Sequence, residues 1–208
     1  MLFQTEKNMN KTESFDPLIL TTIYQDDINI PIWKRSLDDK MIVAAKNYIS
    51  TTIYRELSLS LNLKDAETTL NKYLANFKYK DYFSNDIVIL VDMFCCLFDL
   101  NKVGLRLSIL KNAMCPRFHV DKVPCRLVTT YLGKGTEWLY NSNVNRKILG
   151  HAEQDVLNKH IMQCNTGDVA LLKGEEWEGN TDCGLVHRSP AIKNNMENRL
   201  ILTLDFIN

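Results

Sequence analysis

A change of texture at Gly104 constrains the fold most. From there onward, short apolar runs alternate with turn residues. Leu105, Leu107 and Ile109 interleave with other residues, residues 126–132 are rich in Val, Thr and Tyr, and residues 169–172 and 200–206 are further short apolar runs. Gly133-Lys-Gly135, residues 141–145, residues 165–168 and residues 193–198 punctuate them. A period of two sends side chains alternately to the two faces of a strand. Many short strands at this spacing build a sandwich or a barrel.

Residues 16–103 read differently. Asp38 or Asp39 is suited to cap a helix running to about residue 50, and Asp65 opens a second through Phe77. Ser84 or Asn85 caps a third that ends near Leu100; its apolar residues nearly surround the axis, as in a buried helix. Among these, residues 55–63 place Leu at alternate positions, which predicts a strand. Residues 1–15 are polar and are expected to be flexible. No linker separates the parts, so the expectation is one α+β unit. A mainly helical part, residues 16–103, packs against a β-rich core, residues 104–208.

Composition excludes several functions. Lys and Arg number 25, as do Asp and Glu, and no basic run stands out, so nucleic-acid binding has no electrostatic support. The most apolar run, residues 87–100, carries Asp92 and Asp99 and is too short to span a bilayer. The first residues lack the basic-then-apolar order of a secretory signal. Six cysteines form no C-x-x-C pair, which argues against a zinc ribbon and fits reduced thiols. A cytoplasmic protein acting on a small-molecule or other unidentified substrate is expected, with no membrane and no nucleic-acid partner.

The chemistry concentrates in Cys115-Pro-Arg-Phe-His119-Val-Asp121. His119 and Asp121 stand at i and i+2, so on a strand both point to one face. Alone, the pair fits a histidine hydrogen-bonded to a nearby aspartate better than a metal site. His187, in Gly184-Leu-Val-His187-Arg-Ser-Pro190, adds a third donor. Two histidines and one carboxylate leave open positions on a non-haem Fe(II) ion, although the same donors suit Zn(II). On the last strand, Leu200, Leu202, Leu204 and Phe206 form an apolar face toward the helices, leaving Arg199, Ile201, Thr203 and Asp205 facing inward. An inward Arg199 needs an anionic partner, and a guanidinium grips a carboxylate bidentately. Arg126 shares a face with Val128 and Thr130 and either meets an anion or lies at the surface. Arg188 and Ser189 are positioned to hydrogen-bond around His187 and fix its ring. Trp138 either lines a substrate entrance or closes the end of the barrel. Lys173 reads as a solvated turn residue, and Cys115 and Cys125 as core residues.

This arrangement resembles the Fe(II)/2-oxoglutarate-dependent oxygenase superfamily, whose double-stranded β-helix (a jelly-roll, cupin-like fold) carries H-x-D, a distal His and a following Arg or Lys. Thr130-Tyr-Leu-Gly133, Gly135-Thr-Glu-Trp138, Leu172-Lys-Gly174 and the phrases around His119, His187 and Arg199 are similar to an uncharacterised bacterial family, domain of unknown function 1826. The resemblance implies Fe(II) on His119, Asp121 and His187, and 2-oxoglutarate on Arg199, with Thr203 and Arg126 as further co-substrate contacts. One departure stands out. Oxygenases of this class often carry a hydroxyl residue two positions after the arginine, and here that position is Ile201. A cupin-like module that handles or senses Zn or Fe without oxygenase activity is the alternative.

Overall fold

The computed structural model describes residues 10–151, 154, 156–192 and 198–207. Ten strands and three α-helices appear among them: β1 (Asn10–Ser14), β2 (Ile28–Trp33), α1 (Asp39–Thr51), β3 (Glu56–Asn62), α2 (Ala66–Tyr73), α3 (Lys80–Phe98), β4 (Lys102–Leu110), β5 (Cys125–Leu132), β6 (Glu137–Leu139), β7 (Met162–Gln163), β8 (Val169–Lys173), β9 (Val186–Arg188) and β10 (Arg199–Asp205). Seven strands form one sheet in the order β1-β2-β8-β5-β10-β4-β3; β7-β6-β9 form a second. Every pairing is antiparallel except β1 on β2.

Alternation along the central strands decides the layering. Leu200, Leu202 and Leu204 of β10, Leu127 and Tyr131 of β5, and Leu105 and Leu107 of β4 enter the main core. Helices α1–α3 cover that face with Ala44, Tyr48, Leu70, Phe83, Ile87, Leu90 and Phe94. The opposite face supplies Ile30, Ile32, Val128, Ala170 and Leu172 to a second cluster under Trp138 of the small sheet. The result is three layers: helices, large sheet, small sheet.

Asp38 caps α1 by accepting from the Met41 amide, as its sequence position suggests. Helix α3 starts earlier than expected, at Lys80, and it buries one face only; Ile89 on the other side is 46% exposed. Helix α2 stops at Tyr73, short of Phe77, which instead packs edge-on against Tyr48 and Phe83. The N-terminal part is less helical than its composition implies. It contributes β1, β2 and β3 to the large sheet, and β1 occupies residues 10–14 of the stretch expected to be flexible. β3 is the strand that alternation over residues 55–63 predicts, whereas β1 and β2 form by pairing with each other and with β8. Residues 1–9, and five of the turn residues expected over 193–198, lie outside the described residues. Among the described residues, no helix is long and apolar enough to cross a membrane.

Candidate metal centre

His119 and His187 meet through their backbones. The His119 amide donates to the His187 carbonyl and the reverse, both at 3.0 Å, making a hydrogen-bonded antiparallel pair at the edge of the small sheet. Opposite residues in such a pair project to one face, and the two imidazoles lie with centroids 4.6 Å apart. Asp121, two residues on, turns to the same side. Its Oδ1 is 3.8 Å from His119 Nε2 and its Oδ2 is 3.4 Å from His187 Nε2. The three donor atoms lie within 4.8 Å of one another, and they form the metal-capable group among the described residues. Donors adjacent on an ion with ~2.1 Å bonds stand roughly 3 Å apart, so small side-chain rotations close the site.

Both ring orientations leave Nε2 available. Nδ1 of His119 is 2.9 Å from the Arg117 carbonyl, and Nδ1 of His187 is 3.1 Å from the Leu185 carbonyl. A carbonyl only accepts, so Nδ1 carries the proton and Nε2 keeps its lone pair. Burial, reinforced by repulsion from His187, lowers the His119 pKa and favours the neutral ring. Burial works to raise Asp121. The facing His187 ring and the charge of Arg126 outweigh it and hold the carboxyl at about 2. At neutral pH the site therefore presents a neutral His119 ring beside an anionic Asp121.

The scaffold fixes Asp121 from behind. The Glu175 amide donates to the Asp121 carbonyl, and the Gly174 amide to Pro124. A Cβ on Gly174 would collide with the Val123 carbonyl oxygen and crowd that of Asp121. Glycine at 174 thus lets the end of β8 approach the loop that carries the carboxylate.

Arg199 is 2% exposed at the start of β10. Its Nη1 donates to Ser189 Oγ at 3.0 Å; Nη2 donates to Thr136 Oγ1 at 3.0 Å and Thr130 Oγ1 at 3.2 Å. Nε has no partner, and no carboxylate is bonded to the guanidinium among the described residues. Burial lowers the Arg199 pKa to about 10, which still leaves it charged at neutral pH. Arg199 and His187 line one narrow cavity together with Val128, Leu172 and Thr203, whose buried Oγ1 is also unpaired. The exposed members of its lining, Arg106, Met114 and Cys115, mark its solvent side. A larger cavity of about 580 Å³, lined by Lys46, Gly133 and Lys134 among others, contains none of the trio.

Several sequence expectations need correction. Trp138 lines no entrance: it is 1% exposed, directly opposite His187 in the β6–β9 pair, and packed under the large sheet. A side chain as large as indole fills the space between the sheets where the barrel would otherwise be hollow. Arg126 is neither at the surface nor free for a co-substrate. It donates from Nε and Nη2 to Asp205 at 2.6 and 3.1 Å, and from Nη1 to Asp121 at 2.6 Å. Arg188 does not orient the His187 ring; it pairs with Glu137 at 2.6 Å over the Phe118 ring, and the Leu185 carbonyl does the orienting. Ser189 bonds Arg199 instead. Lys173 is buried, donating to the Gln25 carbonyl beside the Trp177 ring. Cys125 is buried as expected, whereas Cys115 is exposed.

Thr130 and Thr136, the hydroxyl partners of Arg199, are not among the site residues expected from the sequence. Thr130 had a signal: it alternates with Arg126 and Val128 on the inward face of β5. Its pairing with Arg199 depended on register, which no local pattern displays.

Comparison with known proteins places the chain in a family. The model described as "Protein of unknown function (DUF1826)" matches residues 14–205. The chain belongs to the DUF1826 family. That match spans both halves of the molecule, so the helices and the β-core together constitute the DUF1826 unit. No curated protein sequence matches it. Among solved structures, a full-length Neurospora crassa protein determined in complex with alpha-KG aligns over 98% of this chain and 86% of its own, with a TM-score of 0.53 and 9% identity. AviO1 from Streptomyces viridochromogenes Tue57 aligns over 93% and 96%, with a TM-score of 0.45 and 13% identity. A Pseudomonas putida prolyl-4-hydroxylase aligns over 92% and 100%, with a TM-score of 0.47 and 12% identity. At such identities the likeness is one of fold, and the Neurospora alignment is the one that bears on it.

Proposed function

We propose that this protein is a non-haem Fe(II), 2-oxoglutarate-dependent oxygenase built on a double-stranded β-helix. His119, Asp121 and His187 hold the metal, and Arg199 holds the co-substrate. The observation that carries this reading is Arg199. A buried guanidinium surrounded by hydroxyls, with no carboxylate bonded to it among the described residues, is incomplete without an anion. It lines the same cavity as His187, so a dicarboxylate can present one end to the trio and the other to Arg199. The Neurospora protein, similar in fold, was solved with alpha-KG, which is 2-oxoglutarate.

Ile201 does not argue against this guest. Ile201 lies opposite Thr130 on β5 and opposite Ser108 on β4, on the inward face. The hydroxyl missing from β10 is supplied one strand away by Thr130, which already touches Arg199. Thr203 offers a second, unpaired hydroxyl on the cavity wall.

Bound there, Fe(II) would supply oxygen-activating redox chemistry and 2-oxoglutarate two electrons, leaving as succinate and carbon dioxide. The chain positions, shields and leaves a way in. The Arg117 and Leu185 carbonyls fix the ring tautomers. Trp138, Val128 and Leu172 exclude water beneath the site. Arg106, Met114 and Cys115 stand where a substrate enters. Anaerobically purified protein given Fe(II), 2-oxoglutarate and then oxygen should form succinate. Tight Zn(II) binding with neither oxygen consumption nor 2-oxoglutarate binding would instead favour a metal-handling module on the same donors.

A further inference from the structure

We infer that Asp205 sets the metal affinity of the site by occupying the arginine that would otherwise compete with the metal for Asp121. This rests on the metal reading of the trio above. Arg126 on β5 and Asp205 on β10 are registered opposite one another. Asp205 takes one edge of the guanidinium bidentately, through Nε and Nη2. Only Nη1 remains for Asp121, and it makes one bond, to Oδ2. Oδ1 stays turned toward His119.

The geometry has an electrostatic consequence. Side-chain exposures of 22, 14 and 18% for Arg126, Asp121 and Asp205 leave the three charges weakly screened. Two carboxylates around one guanidinium sum to a single negative charge, the charge of an unencumbered aspartate. Remove the Asp205 charge and the sum at the site is zero. Arg126 is then free to turn its whole edge to Asp121, since bidentate pairing is the preferred arginine–carboxylate geometry. A carboxylate so engaged is a poor ligand, and the facing cation repels a divalent ion. Removing Arg126 does the reverse, leaving two carboxylates and no competitor. In this reading Arg126 and Asp205 are positioning residues with opposite effects, although they form one ion pair.

The opposition makes the test sharp. Co(II) is titrated calorimetrically into the full-length protein without 2-oxoglutarate, with the visible absorption of bound Co(II) as a second readout. Asp205→Asn should weaken binding by about tenfold or more, the scale on which partners of metal ligands act. Arg126→Gln should stay within about threefold of wild type or bind tighter. The double variant should recover to within about threefold of wild type, and Asp205→Glu, which keeps the charge, should stay close to it. A pair that merely ties β5 to β10 would weaken binding in both single variants, with the double no better. That result, or an Asp205→Asn protein that binds normally, overturns the proposal. If Asp205→Asn does not fold, Arg126→Gln alone still decides: a tenfold loss there refutes competition. A wild-type protein that binds no Co(II) brings down the metal reading and this inference together, whereas wild-type binding with insensitive variants removes this inference alone.

Discussion

Replacing Arg199 with methionine should separate function from stability. The charged form of Arg199 is disfavoured by burial, with its pKa lowered from 12.5 to about 10. At ~1.4 kcal/mol per pKa unit this is a penalty of about 3 kcal/mol, which methionine relieves. Against it stand three bonds to Ser189, Thr130 and Thr136, worth roughly 1 kcal/mol each. The terms nearly cancel, so Arg199→Met should change unfolding free energy by no more than about 1 kcal/mol. Large substitutions at fully buried positions ordinarily cost several times that. Co-substrate binding should fare otherwise. Two charge-assisted bonds to a carboxylate are worth about 3 kcal/mol or more, so affinity for 2-oxoglutarate should fall at least ~100-fold. Thermal melts report both quantities. With Mn(II) present and ligand at ~100 times the wild-type Kd, the wild type should gain about 2.7 kcal/mol, or roughly 5–10 °C; the variant should gain at most about 0.4 kcal/mol, or ~1 °C. A variant destabilised by more than 3 kcal/mol that still responds to 2-oxoglutarate would show that Arg199 is a structural strut and refute the reasoning.

Gly174→Ala should push the loop bearing Asp121 away, since the new Cβ meets the Val123 carbonyl; we expect a loss of about 1–3 kcal/mol in a urea melt and weaker Co(II) binding. Arg35→Met should act on the fold alone. It strands Asp86, which accepts from Arg35 at 2.6 Å and from Tyr131 at 2.6 Å, and should cost about 3–5 kcal/mol while leaving Co(II) affinity of the folded protein unchanged. Lowering pH should release metal through the His119 imidazole before the carboxylate. His119 is lowered from 6.5, so the midpoint for Co(II) release should lie below that value, whereas Asp121 stays ionised to about 2. The same shifts fix the sign for stability of the metal-free protein. Each group has a folded pKa below its unfolded one, so its contribution is present above the unfolded value. That of His119 is lost as pH falls below 6.5, and that of Asp121 between roughly 4 and 2. Acid melts that show no loss near pH 6 would contradict the His119 assignment.

Period-two alternation made the core of the site legible. Leu200, Leu202 and Leu204 had to face apolar material, so Arg199 and Thr203 had to face the other way, and the structure places them so. The same reasoning put His119 and Asp121 on one side. What stayed hidden depends on register between distant strands. Arg126 meets Asp205, and Thr130 meets Ile201, because β5 lies beside β10 in one alignment; a shift by one residue would exchange every partner. Trp138 was misplaced for a related reason. Its strand is three residues long, too short to show alternation, and only its pairing with His187 reveals that the indole points between the sheets. Likewise β1, polar throughout, carries no strand pattern of its own and is recruited by β2, whose Ile28, Ile30 and Ile32 alternate and which lies on the edge that β8 presents.

The most direct test is anaerobic calorimetry of 2-oxoglutarate into the protein with and without Fe(II). The proposed function predicts one saturable site that requires both the metal and Arg199, and that disappears in His187→Ala. A protein that takes up Fe(II) yet binds no 2-oxoglutarate, or binds it equally well without metal, contradicts the oxygenase reading.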